Sequence, residues 1–209
     1  MHRAREHTAT QTRERRQRLA HEAARLMAEG GIQDFHQARR KAATRLGIHD
    51  EASLPRNVEI EQALREHQRL FAGTRQADAL RTLRMAAVPA LEFLQAFAPR
   101  LVGPVLEGTA DAHGPVHLHL HEDDADAVPR FLEEHGIPAQ PRSRRLRWDR
   151  TRVIDVPVWG FSADGVSFEL LVLPYDALRQ APLSPVDDRP MQRASLAQLR
   201  QLLAEAAAP

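Results

Sequence analysis

The chain has 209 residues, enough for one generous domain or two small ones, and a formal net charge of +1, so no whole-molecule attraction to nucleic acid or membrane is expected and charge has to be read by segment. With no cysteine, disulfide staples, thiolate metal sites and cysteine nucleophiles are excluded, and any metal would need His, Asp or Glu. The opening segment has no apolar run of signal-peptide length and no later segment approaches the apolar run of about eighteen residues that a membrane span needs, so a soluble cytoplasmic protein with no membrane partner is expected.

Taken in chain order, Leu19, Ala23, Leu26 and Met27 recur at helical spacing from about Thr12 to Met27, and "EGG" at 29–31 supplies the stop. Asp34 is placed to cap a second, very basic helix that ends at Gly47, with Ala38, Ala42 and Leu46 as its apolar stripe. Ser53 or Asn57 opens a third, in which Ile60, Ala63, Leu64, His67, Leu70 and Phe71 line one face; "GTRQAD" interrupts, and a fourth runs from about Ala77 to Phe97.

After Pro99 the period changes from that of a helix to that of a strand. "RLVGPVLEG" (100–108) and "VHLHLH" (116–121) read as strands, "DADAVPRFLEEHG" (124–136) as a helix whose acids cap its first turn, and "RSRRLRW", "VPVWGFSA" and "VSFELLVLP" as three further strands. Asp164-Gly165 joins the last two as a hairpin. A Pro/Asp-rich loop and a final amphipathic helix from Ser195 complete the order. It predicts an α+β chain: a helical N-terminal domain over 1–97, a small mixed sheet of about five strands with flanking helices over 98–180, and a loop and C-terminal helix over 181–209 packing on that domain.

Histidines at 117, 119 and 121 alternate with Val116, Leu118 and Leu120. Residues i and i+2 of a strand lie roughly 6.6 Å apart, which lets two imidazoles share an ion, whereas His117 and His121 are roughly 13 Å apart and cannot. A metal site would thus need a neighbouring pair, such as His117 and His119, and a carboxylate from elsewhere, for which Glu169 is the candidate. Such a set suits Zn²⁺, Fe²⁺ or Mn²⁺. The plainer alternative is a half-buried strand with Leu inward and solvated histidines outward, and a third is that the histidines bind phosphate or a base without metal.

The element order, with Gly108-Thr109 closing one strand and an alternating strand soon after, is similar to the minimal nucleotidyltransferase fold of the polymerase-beta-like superfamily. In that family a strand ends in Gly-Ser, the next carries Asp-x-Asp, and a later strand of the same sheet supplies a third carboxylate, so that two Mg²⁺ ions can bind a triphosphate. The resemblance, over roughly 98–180, sets Gly108 and Thr109 at the Gly-Ser turn, His117 and His119 at the two aspartates and Glu169 at the third acid. It implies a nucleotide-binding turn of Gly108, Thr109 and Asp111 and a metal set of His117, His119 and Glu169 that would hold Mg²⁺, Mn²⁺ or Zn²⁺. The departure is that imidazole is a poor Mg²⁺ ligand, so the two-magnesium mechanism is expected to be lost, and retained transfer would have to use neighbours such as Asp111, Asp123 or Asp124. The whole chain also resembles a family of uncharacterised bacterial proteins that carry a nucleotidyltransferase-like domain.

Residues 1–50 hold eleven Lys/Arg against six Asp/Glu, and 142–152 hold six Arg against one Asp. Either could face phosphate; the second could equally be an edge strand guarded by charge, with Arg142 and Arg144 on one face and Arg145 and Arg147 on the other. The first two helices resemble those of TetR-type repressors, but a Pro-containing acidic loop and an acidic helix start stand where the groove-reading helix should follow, so DNA is a less expected partner than nucleotide or RNA. Two readings follow: a degenerate nucleotidyltransferase-like protein that binds nucleotide, RNA or metal near the Gly-Thr turn, or a non-catalytic nucleic-acid- or protein-binding module that uses Arg39, Arg40, Lys41 and Arg45.

Overall fold

The computed structural model describes residues 2–71 and 73–206, with side chains from residue 10 onward except at position 74. The chain divides into two compact units, Met1–Gln76 and Ala77–Pro209.

The first unit holds α1 (His2–Gly30), α2 (Phe35–Leu46), a 3₁₀ turn at Glu51–Ser53 and α3 (Asn57–Phe71). Asp34 caps α2 by accepting the Gln37 N–H at 2.6 Å, and Gly47 ends it at φ 64°, a left-handed conformation that glycine adopts without a Cβ penalty. Leu19, Ala23, Met27, Ala38, Ala42, Ile60, Ala63 and Leu64 form its core; the alanines let the helices approach closely. Leu70 and Phe71, expected on the same stripe as Ile60, are instead 60% and 70% exposed. Residues 47–56 separate α2 from α3, too long a connection for a helix-turn-helix.

The second unit contains most of α4 (Gly73–Phe93), β1 (Arg100–Val102), α5 (Pro104–Glu107), β2 (Val116–His121), α6 (Ala127–Glu134), β3 (Gln140–Arg147), β4 (Val153–Ala163), β5 (Val166–Leu173), β6 (Arg193–Ala194) and α7 (Leu196–Glu205). The expected interruption at "GTRQAD" is helical, and α4 supplies Leu83, Ala87 and Leu91, with Leu94 just after it, to the core over the sheet. The strands form one mixed sheet of six in the order β3-β4-β5-β2-β1-β6; β2 and β5 run parallel and the other neighbours antiparallel. The mixed α+β organisation is as expected. The sixth strand, β6, is a two-residue pairing on β1 with no sequence signature.

Leu101, Val116, Leu118, Leu120, Phe168, Leu170 and Val172 make the face covered by α4, α6 and α7. On the other face Leu171 and Leu173 of β5 and Val156 and Val158 of β4 pack with Trp148 and Ala177. The Asp164-Gly165 turn joins β4 to β5 with φ 50° and 78°, the two positive angles that a type I′ hairpin requires.

The expected strand over 100–108 is shorter. It ends at Val102, because Gly103 turns the chain at φ 70° and Pro104 has a fixed φ suited to a first helical position. Gly108-Thr109 therefore closes a helical turn, with the Pro104 carbonyl accepting the N–H groups of Gly108, Thr109 and Ala110 at 2.9 to 3.1 Å.

Candidate functional site: a buried histidine, arginine and glutamate face

Because side chains alternate along a strand, β2 turns Val116, Leu118 and Leu120 to one face and its three histidines to the other. β2 is central in the sheet, so both faces are covered. His117, His119 and His121 are 9%, 0% and 1% exposed, which corrects the expectation of solvated histidines. The parallel register makes Glu169 the Cα partner of His117, and His119 lies beside Leu171.

Glu169 gathers three groups. Arg144 donates to Oε2 at 2.5 Å and Arg142 to Oε1 at 3.3 Å, and His117 Nε2 stands 3.4 Å from Oε2 without a hydrogen bond. Both arginines come from the edge strand β3, reaching Glu169 across β4. The β4 residue opposite Glu169 is Gly160, which presents no side chain. From the other side of β2, the register turns Arg100 of β1 and Arg193 of β6 to the same face. Arg193 donates to the carbonyls of Ala177 and Leu178 at 2.5 and 3.1 Å, holding the 3₁₀ turn Tyr175–Leu178 to the sheet.

The imidazoles are unusual in what they lack. Among the described residues, both ring nitrogens of His117 and of His119 are buried without a hydrogen-bond partner, as is Nε2 of His121, whose Nδ1 meets the Ala98 carbonyl at 2.9 Å. Burial pushes the His117 pKa down to about 4, with Arg144 lowering it further against the pull of Glu169. It pushes His119 to about 3, helped by His121, His117, Arg193 and Arg144. His121 falls to about 4, again chiefly through burial, opposed by its bond to Ala98. At neutral pH all three are uncharged, each with one N–H to donate and one nitrogen to accept.

Of the sequence-derived candidates, the sheet brings His117 and Glu169 together and sets His119 one pair further along. Among the described residues no three His, Asp or Glu are grouped to hold a metal ion, and the Glu169 carboxylate is engaged by two guanidinium groups. Gly108 and Thr109 lie in the turn after α5, which follows the end of β1 that pairs with His117. Asp111 accepts the His113 N–H at 2.7 Å in a local turn. At the opposite end of β2, Asp123 accepts the Tyr175 N–H at 2.9 Å, and Asp124 accepts from the Asp126 N–H and from Arg130. These acids build turns, as their position before α6 suggests.

In the first unit Arg39 donates to the Asn57 side chain, and Arg45 stands 3.3 Å from Glu22, so both serve the bundle. Arg40 and Lys41 are exposed. Sequence reasoning found Glu169 but missed its partners; the signal was present in Arg142 and Arg144 sharing one face of β3. The chain matches no protein-family model, no curated protein and no solved structure.

Proposed function

We propose that the second unit is a nucleotidyltransferase-like domain that has lost its two-magnesium centre and binds a nucleotide or RNA at the His117–Glu169 end of its sheet, near the Gly108-Thr109 turn. The observation that carries this reading is the parallel pairing of β2 with β5, which sets Glu169 directly beside His117, with His119 two residues on. That is the layout a three-acid site would take, with imidazole at two of its three positions. Two Mg²⁺ ions need several hard oxygen ligands, and the one carboxylate on this stretch of sheet is already neutralised by Arg142 and Arg144. Binding without nucleotidyl transfer is what such a site can do.

Elemental analysis of untagged protein, with a thermal-shift screen of nucleoside triphosphates alone and with Mg²⁺, Mn²⁺ or Zn²⁺, tests the reading. A nucleotide at a hundredfold excess over its Kd should raise the unfolding temperature by roughly 5 to 10 °C. If no nucleotide shifts it, and charge reversal at Arg39, Arg40 and Lys41 abolishes binding of nucleic acid, the basic face of α2 is the functional surface instead.

A further inference from the structure

We propose that this face grips the polyphosphate of its ligand directly, with no divalent metal between protein and phosphate: Arg142 and Arg144 supply the charge, and His117 and His119 the ring N–H donors. The inference rests on the nucleotide reading above and names the group that is held.

The balance of charge is the first support. Among the described residues, Arg100 from β1, Arg142 and Arg144 from β3 and Arg193 from β6 share the histidines' face of the sheet, against the one acid Glu169 from β5. Two guanidinium groups on the one carboxylate, with Arg100 and Arg193 turned to the same face further along the sheet, repel a divalent cation and attract a multivalent anion, and the planar guanidinium fork matches phosphate oxygens. The second support is the unpartnered imidazole. His119 is fully buried with neither nitrogen bonded, and His117 is nearly so. Buried polar groups are ordinarily paired, so donors left bare in a core are free to meet an incoming acceptor. The third is the bare backbone at Gly160. A Cβ at Gly160 would meet only the Gln140 and Phe168 carbonyl oxygens, both at an ordinary 3.9 Å, so the backbone does not demand glycine there. No side chain stands within 4 Å of that position, on the face across which Arg142 and Arg144 reach Glu169. Arg142 and Arg144 side chains are 58% and 40% exposed, which gives a ligand its approach, while the Glu169 side chain at 12% forms the floor.

In this arrangement Glu169 orders the arginines and also competes with the phosphate for them. Calorimetric titration of inorganic tripolyphosphate into the full chain in EDTA separates the possibilities. The wild-type protein should bind, Glu169→Gln should bind about five- to tenfold more tightly because one opposing charge is gone, and Arg144→Gln should bind at least about tenfold more weakly. A metal site built on Glu169 predicts the reverse for Glu169→Gln, and weaker binding by that variant overturns the inference. So does ATP binding only with Mg²⁺ while tripolyphosphate does not bind, which leaves the nucleotide reading standing. Failure of both ATP and tripolyphosphate to bind, with or without metal, overturns the nucleotide reading itself.

Discussion

Stability of the second unit should fall steeply as the pH drops from 6.5 to 4. An unfolded histidine titrates near 6.5, whereas burial holds His117 and His121 at about 4 and His119 at about 3 in the folded chain. Between those values the unfolded state takes up protons that the folded state refuses, so acid favours unfolding. The stabilising contribution is complete above pH 6.5 and is lost progressively below it. With two to three protons at stake, the slope reaches about 3 to 4 kcal/mol per pH unit. Carboxylates of the same unit held low by hydrogen bonds, such as Asp124 beside the Asp126 N–H and Asp149 beside the Thr151 N–H, add to the loss only below about their ordinary value of 3.8. Urea unfolding followed by tryptophan fluorescence measures this cleanly, since Trp148 and Trp159 are the only tryptophans and both lie in the second unit. A midpoint unchanged from pH 7 to pH 5 would mean that the histidines are not buried as described.

The second large effect is a gain. Replacing His119 with Leu should raise stability at pH 7 by about 1 to 3 kcal/mol, the range for removing a buried polar group that has no partner. The site can take a branched apolar side chain, because its neighbour on β5 is Leu171 and the surrounding cluster is Val156, Val158, Leu173 and Trp148. The gain should widen as the pH falls, because one of the protons that drive acid unfolding is gone. The same variant should bind tripolyphosphate about tenfold more weakly, from loss of a donor to a charged group. Stability gained and binding lost in one substitution is the pattern expected where a residue is kept for function against the interest of the fold. A loss of stability in His119→Leu would show instead that the ring is satisfied within the protein.

Much of the fold could be read where local chemistry decides it. Asp34 and Gly47 bound α2, Asp164-Gly165 sets the β4–β5 hairpin, and the change of period near Pro99 precedes the first strand. The Gly103-Pro104 pair also carried a local signal, a strand end, that was overridden by the apolar run around it. What escaped depends on distant partners. The alternation in β2 reads as one dry and one wet face, and only the position of β2 at the sheet's centre, with Trp148, Ala177 and the 3₁₀ turn Tyr175–Leu178 on its second face, turns those histidines into core residues. Glu169 was identifiable as a candidate because it sits in an otherwise apolar strand. Its pairing with Arg142 and Arg144 needed the register across β4, in which Gly160 falls opposite it, and no local pattern specifies a register between β3 and β5.

On the proposed reading, the bare imidazoles of His117 and His119 are the hydrogen-bonding partners of the ligand. Ring-nitrogen ¹⁵N NMR of the histidine-labelled full chain at pH 7, titrated with ATP in EDTA, tests it most directly. Without ligand both rings should show the paired shifts of a neutral tautomer, and saturation with ATP should move the ring nitrogens of both while leaving those of His36 and His49 in the first unit unmoved. Unchanged His117 and His119 ring nitrogens at saturating ATP would contradict it.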